Sequence, residues 1–127
     1  MNTEVEQIKS ICQDMAQGNW KKYWSEGAFL IRPSGNPLYP EQELQMRNCQ
    51  DLTMIKEELV EINKICIYGN LATCCFTVHQ VFKYKGTSND DISVVLIFLK
   101  KEEDGWKMIT GSRSQGRTPA DPLPEFR

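Results

Sequence analysis

The sequence predicts an α+β domain in which N-terminal helices pack on one face of a curved antiparallel sheet. Three observations carry that prediction. Helical periodicity is confined to the amino-terminal part of the chain. From Gly69 onward, every segment alternates or runs apolar at strand length. The order helix, strand, helix and then a long meander segregates helices from strands, which is the α+β pattern.

The first element is an amphipathic helix. Val5, Ile8, Cys12 and Met15 recur at spacings of three and four, with Ile11 and Ala16 widening the stripe. Thr3 followed by Glu6 is a capping-box pattern, and Gly18 stands where a left-handed C-cap belongs. A second, short helical piece follows at residues 19–24, with Trp20, Tyr23 and Trp24 on one side as core-packing aromatics. Residues 28–32 form a strand stopped by Pro33 and the turn residues 34–37. Pro40, with Glu41 and Glu43 in the first turn, opens another helix that ends near Cys49.

Between Thr53 and Ile67 the pattern fits helix and strand equally well, because Met54, Ile55, Leu59, Val60 and Ile62 suit either period. Gly69-Asn70 is a hairpin turn. Beyond it, residues 72–84 alternate, with Cys74, Phe76, Val78, Phe82 and Tyr84 on one side. Thr73, Cys75, Thr77, His79 and Val81 take the other. Residues 91–101 are apolar on both faces at their middle, which suits a central strand. Asp104-Gly105 turns the chain into a last strand, residues 106–114. The expected organisation is one domain over residues 1–118 and a proline-rich extended tail over 119–127.

Composition bounds the function. The 127 residues are 40% hydrophobic and 25% charged, with a formal net charge of -2. Charges of both signs are interspersed, so the chain lacks the basic footprint of a nucleic-acid or membrane-surface binder. The residues at the amino end are polar and no apolar run reaches membrane length, so a cytoplasmic protein is expected. The five cysteines include no C-x-x-C pair and suit reduced thiols with no bound metal. No phosphate loop, nucleophile elbow or cofactor motif is present, and no cofactor is expected.

At this point the chain resembles the nuclear transport factor 2-like superfamily. Gly18-Asn19 with Trp20, Tyr23 and Trp24 is similar to the break between that family's first helices. Residues 28–37 are similar to its first strand and loop, and Asp104-Gly105-Trp106-Lys107-Met108-Ile109 with Ser112-Arg113-Ser114 to its closing strand. The resemblance spans residues 3–118 and implies a cone-shaped, strongly curved sheet with the helices on its concave face. The closing strand most resembles association domains of calcium/calmodulin-dependent protein kinase II, although Thr110 and Ser112 stand where those relatives have histidines. The same substitutions remove the histidines of the related carbonic anhydrases. The steroid-isomerase branch implies an acid before the first-strand proline, but here Arg32 precedes Pro33. Its helix tyrosine and late-strand acid fall near Ile11 and among Leu96, Ile97 and Phe98, so that mechanism has no counterpart.

The resemblance places Arg32 and Arg113 on strands that line the cone. Each grips an anionic ligand, pairs with a carboxylate such as Glu26, Asp90 or Asp91, or lies exposed at the mouth of the cone. His79, the only histidine, with Thr77 on its face, is a further candidate for the cavity, as are the hydroxyls of Tyr84 and Thr110. Two functions compete. The first is a ligand-binding or oligomerisation module for a small anionic molecule, assembled as a homodimer or larger. The second is a cofactor-independent enzyme of the same fold: a hydratase, isomerase, cyclase or carbonic-anhydrase-like protein.

Overall fold

The computed structural model describes residues 3–116, 118, 120–122, 125 and 126. Helix α1 (Thr3–Ala16) buries Ile8, Ile11, Cys12, Met15 and Ala16, the stripe expected from its spacing. Thr3 is itself the first helical residue. The helix ends in a Schellman turn. Gly18, at φ +92°, donates to the Met15 carbonyl (3.0 Å), and Asn19 donates to the Asp14 carbonyl (2.9 Å).

The short second helix is corrected to a single 3-10 turn, Lys21–Tyr23, after which strand β1 (Trp24–Ile31) starts four residues earlier than expected. The reason lies at Gly27 (φ +79°): the pairing register shifts between Trp24 and Phe29, so a kinked strand absorbs residues that alternation alone does not reach. The aromatics nonetheless pack as expected. Trp20 is 6% exposed, its ring 5.9 Å from that of Trp24, and Tyr23 and Trp24 lie against the core.

Strand β2 (Pro37–Leu38) pairs with β1, and helix α2 (Pro40–Arg47) follows. The Gln42 side chain accepts from the Tyr39 backbone N–H (3.0 Å), closing half of a capping box. The ambiguous segment is one strand, β3 (Leu52–Tyr68), with register shifts after Met54, Leu59 and Ile62. Each shift resets the alternation. The residues facing the helix side are therefore Leu52, Met54, Glu57, Leu59, Ile62, Ile65 and Ile67, whose steps of two and three imitate a helical stripe. Strands β4 (Leu71–Tyr84), β5 (Thr87–Glu102) and β6 (Gly105–Arg113) complete the meander.

The six strands form one curved, open sheet in the order β2-β1-β6-β5-β4-β3. β5 is interior, as its two apolar faces require. The sheet is antiparallel except for one pair, because β1 lies parallel to β6 and makes it mixed. The pairing of the first strand with the last leaves no hairpin between them, so nothing forces the two to reverse. The core lies between α1 and the concave face, where Cys74, Phe76, Val95, Ile97, Leu99 and Met108 are at most 1% exposed. In the tail, Asp121 N–H donates to the Thr118 carbonyl (3.0 Å), a turn rather than an extended chain; Arg117, Pro119, Leu123, Pro124 and Arg127 lie outside the described residues.

Candidate functional site

Beyond the tip of α1 the concave face carries polar side chains instead of core. The strand parity that buries Phe76 and Val78 places Gln80, Phe82 and Tyr84 on the same side of β4. On β5, Ser93 stands opposite Val78, Asp91 opposite Gln80 and Asn89 opposite Phe82, and Arg113 sits across from Val95. Helix α2 roofs this end of the sheet. Under it lies a cavity of about 690 Å³ lined by Arg32, Gln42, Gln45, Met46, Cys49, Leu52, Phe82, Tyr84 and Asn89. A smaller compartment of about 130 Å³ shares Met46, Leu52 and Phe82 with it and reaches Arg113, Gln80, Arg47 and Glu43.

Arg32 extends from the end of β1, with Nη2 donating to the Pro37 carbonyl at 3.2 Å. Its Nε is buried and has no hydrogen-bond partner among the described residues. A buried donor without a partner costs about 1–3 kcal/mol, so this atom is under pressure to find an acceptor. Arg113 is better provided. Its Nε donates to Ser93 Oγ (3.0 Å) and its Nη2 to the side-chain amide oxygen Oε1 of Gln80. Gln80 in turn donates through Nε2 to Glu57 (2.7 Å), which fixes the orientation of its amide. Glu57 also takes a bidentate pair from Arg47, at 2.8 and 2.9 Å, and Arg47 Nε donates to Glu43.

The electrostatics follow from that chain. Burial pulls the pKa of Arg113 below the ordinary arginine value; Glu57 and Asp91 oppose the shift and Arg47 adds to it. For Arg47 burial also opposes the charge, but the hydrogen bonds and charges of Glu57 and Glu43 override it and hold its pKa above the usual range. Arg113 is thus held by two neutral side chains, Ser93 and Gln80, with the charges of Glu57 and Asp91 acting on it without a direct ion pair among the described residues.

The structure separates the candidate residues into two groups. Arg32 and Tyr84 line the large cavity and Arg113 the inner compartment. His79, Thr77 and Thr110 stand on the opposite face of the sheet, where Thr77 is fully buried, and the expectation that they share the cavity is corrected. The reason is parity: His79 pairs with Glu58 and Ile92, and Thr110 with Phe98 and Phe29, all one step off the core-facing positions. There His79 Nε2 meets Asp90 at 2.6 Å, and Thr77 donates to the Asn63 side-chain oxygen at 2.9 Å. Sequence reading missed Gln80, Glu57 and Arg47. The available signal was Gln80 itself, a polar residue interrupting the apolar stripe of Phe76, Val78 and Phe82.

Among the described residues no group of three or more His, Cys, Asp or Glu side chains can hold a metal ion. No described helix is long and apolar enough to cross a membrane. The five cysteines are free thiols, and Cys12 and Cys74 bring their sulfurs within 2.9 Å in the core.

The curved sheet with α1 packed on its concave face places the chain in the nuclear transport factor 2-like class. A solved NTF2-like protein of unknown function from Prochlorococcus sp. NATL2A shares 33% identity, with a TM-score of 0.83 over 93% of this chain and 96% of that one. Within that class the chain belongs to the family described as "Protein of unknown function (DUF3804)", whose model matches residues 3–121. More distant structures share the fold. A putative Ca/calmodulin-dependent kinase II association domain from Exiguobacterium sibiricum is 11% identical, with a TM-score of 0.68 over 93% of this chain and 94% of that one. A ketosteroid isomerase-like protein from Erwinia carotovora atroseptica is 13% identical, with a TM-score of 0.66 over 94% and 100%. None of the curated proteins compared matches the chain.

Proposed function

We propose that this protein binds a small amphipathic carboxylate in the cavity beneath α2, with the carboxylate on Arg32. The observation that carries the reading is the buried, unpartnered Nε of Arg32, a residue whose side chain borders a 690 Å³ cavity. A guanidinium presents donors in a fork that matches a carboxylate, so one ligand group satisfies Nε and a neighbouring nitrogen together. Met46, Leu52, Phe82 and the Tyr84 ring supply an apolar surface for the rest of the molecule. A catalytic role on the same fold finds less support, because no carboxylate or imidazole stands among the described residues lining this cavity.

Thermal unfolding with hexanoate, against 1-hexanol and chloride at matched ionic strength, tests the reading. Hexanoate should raise the melting temperature of the wild type by mass action and leave Arg32→Leu unchanged, with Arg32→Lys intermediate. Equal protection of wild type and Arg32→Leu would overturn it.

The open face supports a second role, assembly as a homodimer. Val94, Leu96 and Phe98 of the interior strand point away from α1, and Phe98 is 39% exposed. Apolar residues on an uncovered sheet face need a second layer, and the helices cover only the other side. Light scattering should give at least a dimer at micromolar concentration, and Phe98→Glu should dissociate it. A monomeric wild type would refute the assembly.

A further inference from the structure

We infer that Cys12 and Cys74 are an oxidisable thiol pair, which a hydroperoxide closes into a disulfide that staples α1 to β4. The inference concerns the core rather than the cavity, so it stands apart from the ligand reading. Its basis is the position of the two sulfurs. Cys12 belongs to the inner stripe of α1 and Cys74 to the concave face of β4, at 0% and 1% exposure, and their Sγ atoms lie 2.9 Å apart. Non-bonded carbon atoms settle at about 3.5–4.0 Å, and sulfur is the larger atom. The two sulfurs are therefore inside ordinary contact distance, joined by an S–H···S hydrogen bond. A disulfide bond is about 2.05 Å long, so closure asks the sulfurs to approach by less than about 1 Å.

The fold selects this pair from the five cysteines. Cys75 follows Cys74 along β4 and so faces away from α1, opposite Lys64 and Leu96. Cys66 stands across from Thr73 on that same outer face, and Cys49 lines the cavity. The Cys74 thiol is pushed up by its contact with Cys12 and by burial, so Cys74 keeps its proton and the Cys12 sulfur attacks first. Cys12 gives up its proton and bonds to one peroxide oxygen; the O–O bond breaks, water or an alcohol leaves, and Cys12 becomes a sulfenic acid. The Cys74 sulfur then bonds to the Cys12 sulfur, the S–O bond breaks, and the hydroxyl leaves as water with the Cys74 proton. Two electrons pass from the thiols to the peroxide.

A bulky thiol reagent needs a sulfur turned outward. Hydrogen peroxide is little larger than water, and local opening of a terminal helix admits it while the new bond forms inside the core. Where thiols are kept reduced the pair stays open, so the staple answers peroxide instead of being a permanent strut. Once closed, it joins positions 62 residues apart and removes loop-closure entropy from the unfolded chain.

The test is to treat folded, reduced wild-type protein with hydrogen peroxide, then unfold it, alkylate the remaining thiols and map the peptides. Tandem fragmentation, which separates Cys74 from Cys75, should find a Cys12–Cys74 link. The melting temperature should rise by about 6 °C or more, and dithiothreitol should return it to the starting value. Cys75→Ser should keep the link and the rise, whereas Cys12→Ala and Cys74→Ala should each lose both. Should an alanine variant fail to fold by circular dichroism, the wild-type map decides alone. Cys12 and Cys74 both recovered as alkylated thiols after Cys49 or Cys66 has been oxidised would overturn the inference. A link through another cysteine, or a Cys12–Cys74 link with no rise in melting temperature, would overturn it equally.

Discussion

Replacing Gly18 by alanine perturbs two things, and a second glycine separates them. At φ +92° a Cβ strains the backbone by about 1 kcal/mol, as it would at Gly35, where φ is +88°. The surroundings differ. A Cβ at Gly35 meets nothing within 4 Å, whereas one at Gly18 falls 2.5 Å from Arg47 Nη1 and 2.7 Å from Glu57 Oε1. Both contacts are side-chain ends, which normally step aside at small cost. Here they are locked in a bidentate pair whose side chains are only 25% and 9% exposed, so the movement distorts charge-assisted hydrogen bonds worth about 1.5–3 kcal/mol. Gly35→Ala should therefore cost about 1 kcal/mol and Gly18→Ala about 2–4 kcal/mol. At about 3–5 °C per kcal/mol for a domain of this size, calorimetry should show losses near 4 °C and 8–15 °C. In an Arg47→Met background the extra cost of Gly18→Ala should shrink, since the Arg47 end of the pair is gone while Glu57 remains. Equal losses for the two alanines, or an unchanged cost in that background, would refute the claim that α1's terminal turn presses on this pair.

Phe76→Ala should cost about 3–5 kcal/mol in denaturant titration, because Phe76 is 0% exposed at the centre of the core and its removal leaves a cavity. Asp14 is held below its usual carboxylate pKa of 3.8, first by the Tyr23 hydroxyl and also by Lys22, with burial opposing. Its folded pKa lies below the unfolded one, so its contribution is complete above about pH 4 and is lost as pH falls through the folded value. Tyr23→Phe should raise the Asp14 pKa seen by NMR and shrink that acid-range loss. A thiol reagent at pH 8 should modify Cys49 and Cys66 first. Cys12 and Cys74 should resist until unfolding, since both are buried and the Cys74 thiol is pushed up by its contact with Cys12 and by burial.

What the sequence determined by itself was whatever depends on neighbours along the chain. The α1 stripe, its glycine stop, the Gly69-Asn70 hairpin and the interior position of β5 all rest on periodicity, turn chemistry or an apolar run, which are local signals. Alternation along β4 was equally legible, but alternation names two faces without saying which one the helix covers. That choice needed α1 docked on Phe76 and Val78, and it moved His79 and Thr77 out of the cavity while bringing Gln80 in. The bulges of β3 hid the strand for a related reason. A bulge is defined by the partner strand's register, and in one strand alone it is indistinguishable from a change of period. The partners of the arginines were the least legible of all. Arg113 meets Gln80 and Ser93 at separations of 33 and 20 residues, and Arg47 meets Glu57 across ten. Only the curvature of the sheet, which folds β4, β5, β6 and the start of β3 under α2, brings those charges within hydrogen-bonding distance and leaves Arg32 facing an open cavity.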